Sequence, residues 1–377
     1  MRRRRSCRVR ARIEPAQNHH SVTHLLEALR HDNDLVTSPL RTALCDLLNM
    51  PYPILNAGIG SAAGPDLAAA VSNAGGFGVL GGGSMPLEAL HRRVSRTRAL
   101  TDRPFGFNLI ISEDDEGDRE FLLQRVAEMA DLRMTAIVLF WGDPSPYVDL
   151  VHRAGTIVLM QVGSLDEAIV AARAGVDAVI VQGIEAGGHV RGATSIWELL
   201  PITVEALHPL PVLASGGIGD GTGMAKAMRL GAKGVSLGTR FVACDEAWVH
   251  SAYKKRIVDA TADDTVLNEL YDYDWPNAPH RTLRNKTYAE WQAAGCPARG
   301  AKPGEGTSIG HLSNTIGERI EWMRYSIGTA PPDFDGDIEY APLWAGVSVS
   351  NVNDILPAAE IIRSLVRDAE AVLSGLL

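Results

Sequence analysis

Two groups of residues in this chain have types and spacing suited to chemistry, and the first is a pair of glycine-rich turns. In Leu213-Ala-Ser-Gly-Gly-Ile-Gly-Asp220 an apolar run passes straight into Ser215, Gly216, Gly217 and Gly219, and a helical pattern begins near Gly221. Glycine lets the backbone approach an anion closely and turn successive N–H groups toward it, while a following helix adds the positive end of its dipole. The next apolar run ends in Leu237-Gly-Thr-Arg-Phe241, with further backbone donors and a hydroxyl. Gly217, Gly219, Leu237, Gly238, Thr239 and Arg240 are therefore candidates for holding a phosphate. Either turn alone reads equally well as an ordinary tight connection.

The second group is Val181-Gln-Gly-Ile-Glu-Ala-Gly-Gly-His-Val-Arg-Gly192. Gln182 can donate and accept at once, which suits the edge of a pyrimidine-type ring, and Gly187 and Gly188 would let backbone lie close to such a ring. His189 stands among small residues, and imidazole is the side chain best suited to exchange a proton near neutral pH. The plainer reading is a histidine bonded to a loop carbonyl. Asn108, in Phe105-Gly-Phe-Asn-Leu109, is a further candidate, able to bridge a ring nitrogen and a carbonyl or simply to cap a strand end. Gln161 is expected in the wall of the same pocket, and the small residues of the turn from Asn56 to Gly64 leave room for a flat ring.

These residues need a frame. From about residue 52, short β-branched or apolar runs alternate with longer Ala- and Leu-rich segments of helical spacing, the pattern of repeated βα units. Strands are expected at Pro53–Ala57, Phe77–Leu80, Phe105–Leu109, Ala136–Phe140, Ile157–Gln161, Ala178–Gln182, Val212–Ser215 and Gly234–Leu237. Helices are expected at Pro65–Asn73, Pro86–Thr97, Arg119–Leu132, Tyr147–Arg153, Leu165–Ala174, Ile196–Leu207 and Gly221–Leu230. Eight such strands fit a closed parallel TIM-type (β/α)₈ barrel, because closure gives every strand two neighbours. The two glycine turns then follow the seventh and eighth strands, where such barrels commonly bind phosphate. Gln182, Asn108 and Gln161 end strands at the face where active sites sit.

Four stretches are expected in all. Residues 1–40 read as an Arg-rich leader without structure of its own, since no apolar stretch follows the arginines. Residues 41–244 read as the barrel core, 245–352 as a mainly helical insertion or lid with a flexible link at Lys302–Gly306, and 353–377 as a helix packed on the barrel. That last helix should bury Ile355, Leu356, Ala359, Ile362, Leu365, Val366, Ala369, Val372 and Leu373. The aromatic 268–291 segment is a possible contact surface for a partner.

Bulk properties narrow the function classes. A net charge of −9 opposes nucleic acid and anionic membrane. No apolar stretch approaches the roughly 20 residues of a membrane helix. Four scattered cysteines suggest neither disulfides nor zinc and fit a reducing cytoplasm. No metal-ligand spacing and no Gly-x-Ser-x-Gly elbow appears, so neither a metal centre nor a serine hydrolase is expected.

At Gln182–Gly192 and Ser215–Phe241, with Phe105–Leu109 in support, the sequence resembles the nitronate monooxygenase family, formerly 2-nitropropane dioxygenases, and the related flavin-dependent enoyl-ACP reductases. The resemblance implies an FMN-containing barrel in which His189 matches the catalytic histidine. By the same match Asn108, Gln182, Gly187, Gly219 and Leu237–Arg240 would contact FMN. It further implies a small-molecule substrate, an alkyl nitronate or similar carbon acid, oxidised with O₂ to a carbonyl compound and nitrite; an oligomer is compatible with the sequence, which does not set the oligomeric state. An enoyl-thioester reductase using FMN and NAD(P)H is the alternative. A flavin-free phosphate-binding barrel or a non-catalytic flavin-binding module stands further off. Two phrases depart from the family pattern, Asn56-Ala-Gly-Ile59 in place of a Pro-Met pair and Gly346-Val-Ser-Val-Ser350 in place of Gly-Gln-Gly.

Overall fold

Five consecutive buried residues, Ala136–Phe140, form a strand with no polar face, as a strand covered on both sides must. The structure, a computed structural model, describes residues 38–82, 85–112, 116–314 and 317–376. The expected leader lies almost wholly outside the described residues. Eight parallel strands run in the sheet: β1 (Ile54–Asn56), β2 (Gly78–Leu80), β3 (Phe105–Ile110), β4 (Ala136–Phe140), β5 (Ile157–Val162), β6 (Ala178–Gln182), then β8 (Val212–Ser215) and β9 (Gly234–Leu237). Their order is β1-β9-β8-β6-β5-β4-β3-β2, and a parallel bridge from Leu55 to Phe77 joins the ends. The sheet is thus a barrel. The strand β7 (Gly188–His189) lies outside it, in the loop after β6.

Period-two alternation divides the core. Leu55, Val79, Val138, Leu159, Ile180 and Leu213 fill the barrel interior as one cluster, while Ile137, Leu139, Val179 and Val181 face outward among the helices. Extending the inner set by two residues along each strand brings Asn108, Gln161, Gln182 and Ser215 to the C-terminal mouth. The helices begin where sequence signals place them: Ser164 caps Leu165–Ala174 through Glu167 N, and Gly175 closes that helix at φ 89.

The chain from 245 onward combines helices at Ser251–Asp259 and Lys286–Ala293 with four strands. Strands β10 (Thr265–Asn268) and β11 (His280–Leu283) pair antiparallel, and β11 also pairs with β7, His280 opposite His189. A separate hairpin joins β12 (Ser308–Ser313) and β13 (Arg319–Met323). Lys302 does not behave as part of a loose link: its ammonium is buried, donates to Leu270 O at 3.0 Å and is ion-paired with Asp272. The last helix starts at Ala358, with Pro357 at its cap, and buries Ala358, Ile361, Ile362, Leu365, Val366 and Ala369. Ile355 and Ala359, expected on that face, are exposed, because the helix begins later than its apolar pattern and is rotated accordingly. Among the described residues no helix is long and apolar enough to cross a membrane.

Candidate active site

The glycine turns adopt the conformation their sequence suggests. Gly216 and Gly217 have φ of 94° and 71°, in the left-handed region that favours glycine. No hydrogen-bond acceptor among the described residues meets the backbone N–H of Gly217, Ile218, Gly219, Gly238 or Thr239. Buried backbone donors are almost always paired, so a row of free N–H groups in two adjoining turns is what an anion would satisfy. The helix dipole is less available than expected. Asp220 caps helix Gly221–Arg229, its Oδ1 accepting from Gly223 N at 2.7 Å and its Oδ2 from Asn351 Nδ2 at 2.8 Å. The donors of the turn itself must therefore carry most of the work.

Arg240 commits its two terminal nitrogens elsewhere, while its Nε stays buried without a partner. Its buried guanidinium binds Asp354 Oδ1 and Asp354 O, both at 2.8 Å, and Ala243 O at 3.2 Å. Thr239 Oγ1 accepts from Gly346 N at 3.0 Å, leaving its own proton to donate. The 3₁₀ turn Val347–Asn351 packs against the same region, so a Cβ on Gly219 would lie 2.9 Å from Ser348 O.

The loop after β6 is held from both sides. Gln182 Nε2 donates to His189 O at 2.9 Å, and its Oε1 accepts from Arg191 N at 2.9 Å. The amide expected to read a ring edge thus braces the loop that carries His189. Arg281 adds a third tie, with Nη2 donating to Ile184 O at 2.9 Å. Gly187 has no alternative residue type, since a Cβ there would meet Gly346 N at 2.3 Å. Asn108 donates to Val138 O at 3.0 Å, and Gly58 lies so close to it that a Cβ at 58 would overlap the Asn108 side chain at 2.3 Å. The first turn is small in order to pack on Asn108.

His189 itself sits in a ring of aromatic side chains. Trp275 stands 4.2 Å away between centroids and Trp344 5.5 Å, each tilted by 35°, with Trp141 edge-on at 6.1 Å and His280 at 5.6 Å. Its Nε2 is buried without a hydrogen-bond partner. Burial, reinforced by the neighbouring His280, pushes the imidazole pKa down to about 3, so the ring is neutral across the physiological range. His280 is likewise pushed down to about 4 by burial, with one ring nitrogen on Ala278 O and the other accepting from Tyr271 N at 3.2 Å. Trp141 holds a φ of 67°, a conformation that costs a bulky residue roughly 1–3 kcal/mol and recurs at functional sites.

The sequence reading singled out His189 but not its cover. Trp141, the Trp275–His280 segment and Trp344 lie far apart along the chain, and only the β7–β11 pairing and the return of the segment after Ala341 bring them together. Of the aromatic 268–291 segment, Tyr271 and His280 are buried, Trp275, Tyr288 and Trp291 half-buried and Tyr273 exposed.

Comparison with known proteins places this arrangement. The sequence profile of the nitronate monooxygenase family matches residues 41–368. A Mycobacterium tuberculosis protein named (3aS,4S,5R,7aS)-5-hydroxy-7a-methyl-1-oxo-octahydro-1H-indene-4-carboxyl-CoA dehydrogenase is 32% identical over 356 residues, spanning 88% of this chain and 96% of its own length. A nitronate monooxygenase of Paraburkholderia phytofirmans is 30% identical over 370 residues, spanning 87% of this chain and 95% of its own. Among solved structures, FabK from Thermotoga maritima superposes with a TM-score of 0.71 at 30% identity, covering 89% of this chain and 98% of its own. A nitroalkane oxidase from Streptomyces ansochromogenes gives 0.71 at 26% identity, covering 89% and 100%. With the profile spanning both glycine turns, the His189 loop and the covering segment, the chain belongs to the nitronate monooxygenase family and is an oxidoreductase.

Proposed function

We propose that the chain is an FMN-dependent oxidoreductase that oxidises alkyl nitronates or similar small carbon acids with O₂, releasing a carbonyl compound and nitrite. The observation that carries this reading is the buried, partnerless Nε2 of a neutral His189, on a loop whose Glu185 and Ala186 pack against the first of two turns of unsatisfied N–H groups. The N–H groups of Gly217, Gly219, Gly238 and Thr239 would hold the FMN phosphate. Asn108, Gln182, Gly187, Gly188 and Leu237 would border the ring, and Arg240 would hold the turn in shape through Asp354. FMN supplies the two-electron acceptor that no side chain here can provide.

The remaining steps belong to the chain. The neutral imidazole has a lone pair to offer the carbon-bound proton of a neutral nitroalkane, though its lowered pKa weakens it as a base, and an N–H with which to hold the nitro group of a nitronate. The indoles around it keep water from the reacting carbon, and Gln182 fixes the loop so that His189 keeps its aim.

A second reading is an enoyl-thioester reductase using FMN and NAD(P)H. It is favoured by the likeness to a relative named for a CoA thioester and to FabK. Oxygen uptake and nitrite release with propionate-3-nitronate, set beside NADPH oxidation with a crotonyl thioester, separate the two. Nitrite without a nicotinamide requirement supports the first, and thioester-dependent NADPH oxidation with no response to the nitronate supports the second.

A further inference from the structure

The rings around His189 form two groups with the imidazole between them. Trp275 touches Trp141 at 4.9 Å, whereas Trp344 touches His280 at 5.3 Å, and among the described residues no ring contact links one group to the other. Two of the three indoles are anchored. Trp344 Nε1 donates to Gly328 O at 2.9 Å, and its carbonyl accepts from the Tyr253 hydroxyl at 2.6 Å. Trp141 lies beneath the Arg191 guanidinium at 5.0 Å, which is itself paired with Glu167 at 2.7 Å. Trp275 is half-buried on a loop, and among the described residues its indole makes ring contacts and no hydrogen bond.

The backbone on either side of Trp275 is pinned. Asp272 is paired with the buried Lys302, Tyr273 N donates to Tyr325 O at 3.2 Å, and Asp274 accepts from Ile327 N at 3.3 Å. On the far side Pro279 O accepts from Val190 N at 2.8 Å, next to the His280 bonds. The indole can therefore turn about its own side-chain bonds, but the loop cannot lift away without breaking this set. An indole 4.2 Å from the imidazole leaves no space for a substrate atom on that face.

We propose that Trp275 is the size-determining residue of this site: its indole, carried on a loop pinned on both sides, covers the face of His189 at which a substituent on the reacting carbon would lie, and so admits small alkyl groups while excluding bulky rings. This rests on the reading of His189 as the residue that meets the substrate, and it narrows the proposed carbon acids to those with a short alkyl chain.

Binding and turnover test it separately. Acetophenone, a neutral ketone carrying a ring, is titrated into the FMN-loaded protein and followed by ligand-observed NMR. Trp275→Ala should bind it about tenfold or more tightly than wild type, with Trp275→Phe between, the scale of steric discrimination in an apolar pocket. In turnover, the preference in kcat/KM for ethyl nitronate over phenylmethyl nitronate should fall about tenfold in Trp275→Ala. Wild type binding acetophenone as tightly as Trp275→Ala, with both variants folded by circular dichroism, overturns the proposal. If the acetophenone difference appears and neither nitronate is oxidised, the size filter holds and the nitronate reading falls.

Discussion

His189 keeps a buried Nε2 without a partner because aromatic side chains from three separate parts of the chain close around it. His189→Asn keeps a hydrogen-bonding group of similar reach but cannot take up a proton, so with a neutral nitroalkane as substrate kcat should fall by about 10²–10⁴ in steady-state assays while FMN stays bound. The depressed imidazoles also set a pH dependence of stability. In the unfolded chain each titrates near its ordinary value of 6.5, whereas in the folded protein His189 and His280 resist protonation down to about 3 and about 4. The unfolded chain therefore binds more protons below 6.5, and the stability present above that pH is lost as it falls toward 4. Thermal melts should show Tm dropping across this window, with a shallower slope in His280→Gln. Equal slopes in the two proteins would contradict the burial of His280 as a neutral ring.

At the scale of elements, the turns and the loop after β6 depend on glycines for different reasons. Gly217→Ala places a Cβ at a φ of 71°, at a cost of roughly 1–2 kcal/mol, and should weaken FMN binding in a fluorescence titration. Gly187→Ala drives a methyl into Gly346 N and should cost about 1–3 kcal/mol of stability. Gly238→Ala is the contrast, since its Cβ would meet Ile59 Cγ2 at an ordinary 3.4 Å and its φ is −94°. Chemical denaturation of the three variants measures the difference. The left-handed turn at Gly216 and Gly217 was legible in the sequence because closely spaced glycines after a strand mark a tight turn, while its ligand was not, since either turn alone reads equally well as an ordinary connection. The eight strands were legible too, as their unbroken apolar runs state burial on both faces. The roles of Gln182 and Arg240 were not, because an amide or a guanidinium is recognised by type and its partner is chosen by the fold: the His189 loop for one, Asp354 for the other. His280 was passed over for the same reason, as only the antiparallel register sets it opposite His189.

Across the whole molecule, the end of the chain supports the site near its middle. The helix Ala358–Leu373 lies on helix Gly221–Arg229 so closely that a Cβ on Gly221 would meet Asp368 Cβ at 2.6 Å. Leu365 is buried in that contact, and Leu365→Ala should cost about 2–5 kcal/mol and loosen the turn before Gly221. Denaturation and FMN affinity measured on the same variant would show both effects. The segment Gly346–Asn351 reaches the two glycine turns from the other side, through Thr239 Oγ1 and Asp220. This is why the phrase Gly346-Val-Ser-Val-Ser350, a departure from the family pattern, matters to the cofactor turns as well as to the substrate. The central claim is that these parts combine to oxidise a nitronate at His189, and anaerobic mixing of FMN-loaded protein with ethyl nitronate tests it most directly. The visible flavin band should bleach without nicotinamide, and with neutral nitroethane in place of the nitronate it should bleach at least about a hundredfold more slowly in His189→Asn than in the unaltered protein. A band that persists with nitronate and bleaches only on addition of NADPH would contradict it.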